Sequence, residues 1–181
     1  VLVGKPAPDF TAPAVMGDNE IQDNFSLREQ LTGKYGLLFF YPLDFTFVCP
    51  TEIISYSDAA EKFQAVNASV VGCSIDSQFT HLAWDGTEKA KGGLGGVQIP
   101  LMADISKEIV TSYGVLNDAG VALRATFIID PQGVVQHATV NNLDVGRNVD
   151  ETLRTLKAFQ FAAEHGQVCP ANWNEGDDAM P

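Results

Sequence analysis

Residues 39–52 read FFYPLDFTFVCPTE. The apolar run that leads into them, LLFFY at 37–41, has the length and make-up of a buried strand. Pro42 breaks it, a short loop follows, and a helix begins at Pro50, because proline's missing N–H costs nothing at the first helical position. Cys49 then stands at the helix N-cap or in its first turn, where free N–H groups and the positive end of the helix dipole face the sulfur. Both favour thiolate over thiol, and the thiolate is the nucleophile. Thr46 lies three residues earlier on the same loop, so its hydroxyl can reach a ligand bound at the sulfur. A cysteine taken alone is more often a small buried hydrophobe. The setting of strand, proline, loop, cysteine, proline and helix favours a functional thiol instead.

Outward from this stretch, strand-like and helix-like signals alternate. SVVGCSI at 69–75 is a second apolar strand, and ATFIID at 125–130 turns through Pro131-Gln132-Gly133 into a strand at 134–140, a hairpin. From Pro50 onward Ile53, Tyr56, Ala60 and Phe63 recur at helical spacing. Residues 106–113 are a shorter helix candidate. The helix over 148–165 is the clearest, with Asn148 as cap, Glu151 three residues on in a capping-box arrangement, and Gly166 as its stop. Buried strands alternating with helices imply an α/β sheet layered with helices, and the final hairpin makes the sheet mixed. The tail at 172–181 is polar and acidic and reads as a loose end.

Composition excludes several classes. The chain has 181 residues, 45% of them hydrophobic, which suits about one domain with a real core at roughly 150 residues per domain. Eleven Lys and Arg against 23 Asp and Glu give a net charge of −12, which argues against nucleic acid and anionic membranes as partners. No apolar run approaches the ~18 residues of a membrane helix, and residues 1–10 carry no signal-peptide pattern. The three cysteines, Cys49, Cys73 and Cys169, form neither a disulfide framework nor a C-x-x-C motif. Cys73, in the middle of a strand, reads as core. His81, His137 and His165 have no metal-ligand spacing, so neither a metal nor a cofactor is expected. A catalytic pairing of Cys49 with His81 or His137 has no local support. His81 and Trp84 instead read as packing near the Cys49 loop.

The residues Pro42, Thr46 and Cys49 in PLDFTFVCP resemble the P-x-x-x-T-x-x-C signature of peroxiredoxins, and HGQVCPANW at 165–173 resembles the resolving-cysteine segment of the typical two-cysteine subgroup. The resemblance runs from GKPAPDF at 4–10 over nearly the whole chain. It implies a thioredoxin-like α/β fold, with a central mixed sheet flanked by helices, over residues 1–165, and a C-terminal segment at 166–181 carrying the resolving cysteine. It implies a thiol-dependent peroxidase acting on hydrogen peroxide and organic hydroperoxides. Cys49 would be the peroxidatic nucleophile, leaving as product a sulfenic acid. Thr46 would hydrogen-bond the peroxide, Pro42 would shield the site, and Arg124 would stabilise the thiolate and the developing charge. Glu52 and Arg147 would form a shell around that arginine.

By the same resemblance, Cys169 would resolve the sulfenic acid as a disulfide with Cys49 of another subunit in a head-to-tail homodimer, five of which often close into a decamer. A thioredoxin-like or flavoprotein-linked dithiol protein would then reduce the disulfide. GGLG at 92–95 resembles the loop of easily over-oxidised peroxiredoxins, but the Tyr-Phe pair of their C-terminal arm is not found here, which leaves over-oxidation sensitivity open. Uncombined thiols and the lack of a signal pattern suit a reducing cytoplasm. The rival readings are a protein disulfide oxidoreductase, disfavoured by the missing C-x-x-C, and a redox-regulated holdase chaperone.

Overall fold

A computed structural model describes residues 1–181. They divide into two compact units, Val1–Arg147 and Asn148–Pro181. The first contains β1 (Thr11–Val15), β2 (Ile21–Ser26), α1 (Leu27–Leu31), β3 (Tyr35–Phe40), α2 (Cys49–Asp58), α3 (Ala60–Ala65), β4 (Ala68–Ser74), α4 (Gln78–Asp85), β5 (Leu101–Ala103), α5 (Glu108–Ser112), β6 (Arg124–Ile129) and β7 (Val135–Asn141). The second contains α6 (Val149–His165) and the tail.

The seven strands form one sheet in the order β2-β1-β5-β4-β3-β6-β7. β3 runs parallel to β4, and β4 to β5. The outer pairings, β1 with β5 and β2 and β6 with β3 and β7, are antiparallel. This is the mixed α/β sheet of the thioredoxin-like class. Its centre is fully apolar because strands covered on both faces bury every side chain. Leu37, Leu38, Phe39 and Phe40 of β3 are each at most 1% exposed. The expected hairpin is present. Gly133, at φ +83°, takes the turn's left-handed position, and the Asp130 carboxylate accepts from the amides of Gln132 and Val134.

Three expectations change. The helix foreseen from Pro50 through Phe63 is two helices separated at Ala59, although its apolar face persists in buried Ile53, Tyr56, Ala60 and Phe63. The short elements β1, β2, β5 and α1 gave no clear sequence pattern. β5 is three residues long, and β2 (IQDNFS) is mostly polar, so the sheet rather than propensity makes them strands. The tail is not loose. Val168 and Met180 form a β-bridge, and Trp173, 3% exposed, places its ring 5.1 Å from that of Phe161. Composition marks such a tail as mobile, but one buried indole outweighs many polar residues in burial energy.

Within this second unit Asn148 accepts from the Glu151 amide at 3.0 Å as the cap of α6, and Gly166 closes the helix at φ +61°. The helix and the tail group together because Arg154 donates to the Trp173 carbonyl and the Cys169 sulfur lies 3.5 Å from the Ala158 carbonyl. No helix of the chain is long and apolar enough to cross a membrane.

Candidate active site

Sequence-local rules put Cys49 where it was expected, as the first residue of α2 with Pro50 beside it. The sulfur is fully buried. The helix amides do less than the sequence implied. Pro50 has no N–H, and the amides of Thr51 and Glu52 both donate to the Val48 carbonyl. The donor on the sulfur is a side chain: Arg124 Nη1 stands 3.3 Å from Cys49 Sγ.

Sheet register explains how Arg124 arrives there. Phe40, the last residue of β3, pairs with Ala125. Arg124 therefore stands one residue beyond, at the end of β3 from which the Cys49 loop departs. Its Nε donates to the Leu143 carbonyl at 2.7 Å and its Nη1 also donates to Glu52 Oε1 at 2.7 Å, so the guanidinium is held on three sides. Burial works against its charge, but the contacts with Cys49 and Glu52 outweigh this and raise its pKa above the ordinary arginine value.

Glu52 lies one helical turn on from Cys49 and is 3% exposed. It binds a second arginine in a fork. Arg147 Nε reaches Oε2 at 2.6 Å, Nη2 reaches Oε1 at 2.9 Å, and the Arg147 backbone N–H donates to Oε2 at 2.8 Å. Arg147 Nη1 donates to the Phe40 and Ala125 carbonyls, and the guanidinium lies 5.2 Å over the Phe39 ring. Burial alone would raise the Glu52 pKa, yet the hydrogen bonds and charge of Arg147, with that of Arg124, hold it below the ordinary carboxylate range. A buried ion cluster is tolerable only when all its members are paired, and here two arginines face one carboxylate and one sulfur.

The loop at 42–48 joins β3 to the helix that Cys49 opens. Pro42 is buried. Thr46 is half-buried, and its hydroxyl donates to the Leu43 carbonyl at 2.9 Å. Its lone pairs stay available to a donor such as a peroxide O–H. Phe45 lies in the left-handed region at φ +58°, which for a bulky side chain costs about 1–3 kcal/mol.

His81 and Trp84 do pack against this loop, as expected. His81 Nδ1 is 2.5 Å from Asp44 Oδ2, and the Trp84 ring is 5.8 Å from that of Phe45. The helix α4 that carries them, capped by Ser77 on the Thr80 amide, was not foreseen as a helix, although that capping serine was its available signal. Asp44 was also missed, because a single aspartate in a loop has no pattern. Asp44, Asp76 and His81 lie close enough to suggest a metal site. However, His81 Nε2 is committed to the Met102 carbonyl at 2.8 Å and Asp44 Oδ1 to the Tyr41 hydroxyl at 2.7 Å, which makes the cluster a hydrogen-bond network.

The first unit thus links Cys49, Arg124, Glu52 and Arg147 by hydrogen bonds, with Pro42 and Thr46 on the loop that leads into Cys49. Cys169 belongs to the second unit, half-buried and as a free thiol. Cys73 sits within β4, where burial and then the Asp104 charge push its thiol pKa well up, in keeping with a core role.

A buried cysteine with a guanidinium at its sulfur is the kind of setting in which a thiol can serve as a nucleophile. Residues 3–138 match the AhpC/TSA family, and residues 158–181 match the C-terminal domain of 1-Cys peroxiredoxin. The chain is 55% identical to Peroxiredoxin-1 of Gallus gallus over 99% of its own length and 89% of that protein's. It is 53% identical to the chloroplastic 2-Cys peroxiredoxin BAS1 of Hordeum vulgare, covering 99% of this chain and 85% of that one. The reduced 2-Cys peroxiredoxin of Plasmodium vivax superposes with a TM-score of 0.96 at 50% identity, over 99% of this chain and 92% of that one. The chain belongs to the AhpC/TSA family and is a peroxiredoxin of the two-cysteine kind, a thiol peroxidase.

Proposed function

We propose that Cys49 is the peroxidatic nucleophile and that it reduces hydrogen peroxide and organic hydroperoxides. The observation that carries this reading is the Arg124 guanidinium 3.3 Å from a buried sulfur. The thiolate attacks one peroxide oxygen, the O–O bond breaks, and sulfur is oxidised to the sulfenic acid as the second oxygen leaves with the electron pair. Charge thus moves from sulfur to the leaving oxygen. Arg124, held in place by Glu52 and the Leu143 carbonyl, serves both ends of that movement without reorganising. Thr46 accepts from the peroxide O–H, and Pro42 keeps water from the sulfur. Arg147 positions Glu52.

The second half of the cycle falls to the segment at 166–181. The Cys169 thiol attacks the sulfenic sulfur, water leaves, and a Cys49–Cys169 disulfide joins two subunits of a homodimer, which can assemble further into a decamer. A thioredoxin-like or flavoprotein-linked dithiol restores both thiols by exchange. A reducing compartment, the cytoplasm, suits these steps.

The test compares peroxide consumption by wild type, Cys49→Ser and Cys169→Ser with a thioredoxin-type reductant. Cys49→Ser should abolish turnover. Cys169→Ser should consume one peroxide equivalent per chain and lose cycling. Full activity in Cys49→Ser would overturn the assignment. After peroxide treatment, a non-reducing gel should show a band at twice the chain mass, and a disulfide product at monomer mass would contradict the intersubunit bond.

A further inference from the structure

We propose that Met180 is a modification site: peroxide oxidises its thioether to the sulfoxide, and the sulfoxide loosens the neck of the loop that carries Cys169. The consequence for disulfide formation rests on the reading of Cys169 given above.

Residues 168–180 form a loop whose two ends meet. Val168 and Met180 make an antiparallel bridge in which each amide donates to the other's carbonyl, both at 2.9 Å. Residues that exchange both bonds stand directly opposite each other, with side chains on one face and Cβ atoms about 5 Å apart. The neck is therefore an apolar pair, a valine against a thioether. Cys169 follows Val168 directly, and its sulfur lies 3.5 Å from the Ala158 carbonyl of α6. The middle of the loop is held separately. Trp173 Nε1 donates to the Asp177 carbonyl at 3.1 Å, the Asn174 amide donates to the Asp177 carboxylate at 2.7 Å, and the Trp173 ring rests by Phe161. A loss at the neck is thus felt first at Cys169, while the rest of the tail keeps its own contacts.

The chain has three methionines. Met102 is fully buried in β5 and Met16 is half-buried against the core, whereas Met180 is 49% exposed. Met180 is the one most open to dissolved peroxide, the oxidant that this peroxidase consumes. In the reaction the thioether sulfur attacks one peroxide oxygen, the O–O bond breaks and an S–O bond forms. Sulfur gives up two electrons, and the peroxide leaves as water or an alcohol. The product is polar and chiral where the thioether was apolar, so it withdraws the pairing with Val168. A dithiol that restores the cysteines leaves the sulfoxide in place, because only a methionine sulfoxide reductase removes it. The mark therefore outlasts the catalytic cycle and leaves Cys169 in a looser segment after an excess of peroxide.

The test uses the full chain as wild type, as Met180→Leu, which keeps the apolar pair and takes no oxygen, and as Met180→Gln, which places a polar group there without oxidant. Samples exposed to excess hydrogen peroxide are then reduced with a dithiol. Mass mapping of peptides should show the Met180 sulfoxide forming about tenfold or more faster than that of Met102. In oxidised wild type, hydrogen exchange of the amides at 167–169 should rise about two- to fivefold, the scale of losing one cross-strand pair. Unoxidised Met180→Gln should show the same rise, Met180→Leu should show none on oxidation, and a methionine sulfoxide reductase should reverse the change in wild type. In chains never exposed to excess, disulfide formation after one equivalent of peroxide should be faster in Met180→Gln than in Met180→Leu by a similar factor. Oxidation of Met180 no faster than of Met102, unchanged exchange at 167–169, an equal rise in Met180→Leu, or equal rates of disulfide formation would each overturn the proposal. A Cys169→Ser variant that cycles normally would instead overturn the reading of Cys169, and mass mapping and exchange would still judge the neck.

Discussion

Arg124 Nη1 donates to the sulfur of Cys49 at 3.3 Å and to the carboxylate of Glu52 at 2.7 Å, so one nitrogen ties the sulfur and the carboxylate together. Lysine cannot reproduce this, because a single ammonium cannot also reach the Leu143 carbonyl along a planar fork. Arg124→Lys should slow the peroxide step about 10²–10³-fold, the scale of losing one aimed donor. Stopped-flow oxidation under pseudo-first-order conditions reads this directly.

Glu52 is the only acid facing two buried arginine forks, and removing it strands both charges. Glu52→Ala should cost about 3–5 kcal/mol of stability, the scale for breaking a buried ion pair. At the usual conversion for a chain of this size, Tm should fall by roughly 10 °C. Chemical denaturation checks the first figure and calorimetry the second. A double variant that also replaces Arg147 by Met should cost less than the two single changes added together.

The depressed pKa of Glu52 also sets a pH dependence. A carboxylate held below its unfolded value contributes stability that is complete above that value and is lost as pH falls through the folded one. Stability should therefore decline on the acid side of the ordinary glutamate range, about 4.3. In Glu52→Gln that part of the slope should disappear. Denaturant midpoints measured across acidic pH provide the comparison.

Thr46 keeps its acceptor lone pairs while donating to the Leu43 carbonyl. Thr46→Ser retains both functions and should stay within about tenfold of wild type, whereas Thr46→Val loses both and should drop kcat/KM by about 10²-fold or more. Steady-state assays with hydrogen peroxide and with a bulky hydroperoxide distinguish the two variants.

Trp173 locks the tail to its helix through Phe161 and through its carbonyl, which accepts from Arg154. Trp173→Ala should loosen the segment around Cys169, at a local cost of about 3–5 kcal/mol. Alkylation of Cys169 should accelerate and proteolysis should move to the tail, while Cys49 retains its protection. Mass mapping of labelled thiols follows both sites at once.

Much of the site is local and was therefore legible in the chain itself. A strand, a proline, a loop, a cysteine and a second proline dictate that Cys49 opens a helix, since each step follows from a backbone restriction within a few residues. The same holds for the 130–134 turn and the Asn148 cap. Tertiary structure decided who faces the sulfur. Arg124 is 75 residues from Cys49, and only the pairing of Phe40 with Ala125 brings it to the end of β3. The helix amides that local rules offered to the sulfur are spent on the Val48 carbonyl, so the cation does that work. Asp44 was invisible for the same reason, because beyond its neighbour Tyr41 its meaning lies in Asp76 and His81, which the end of β4 and the helix α4 bring to it. Backbone chemistry acts over neighbours and can be read along the chain. Buried charge is tolerated only with partners, and the sheet register, which no short window of sequence contains, chooses them.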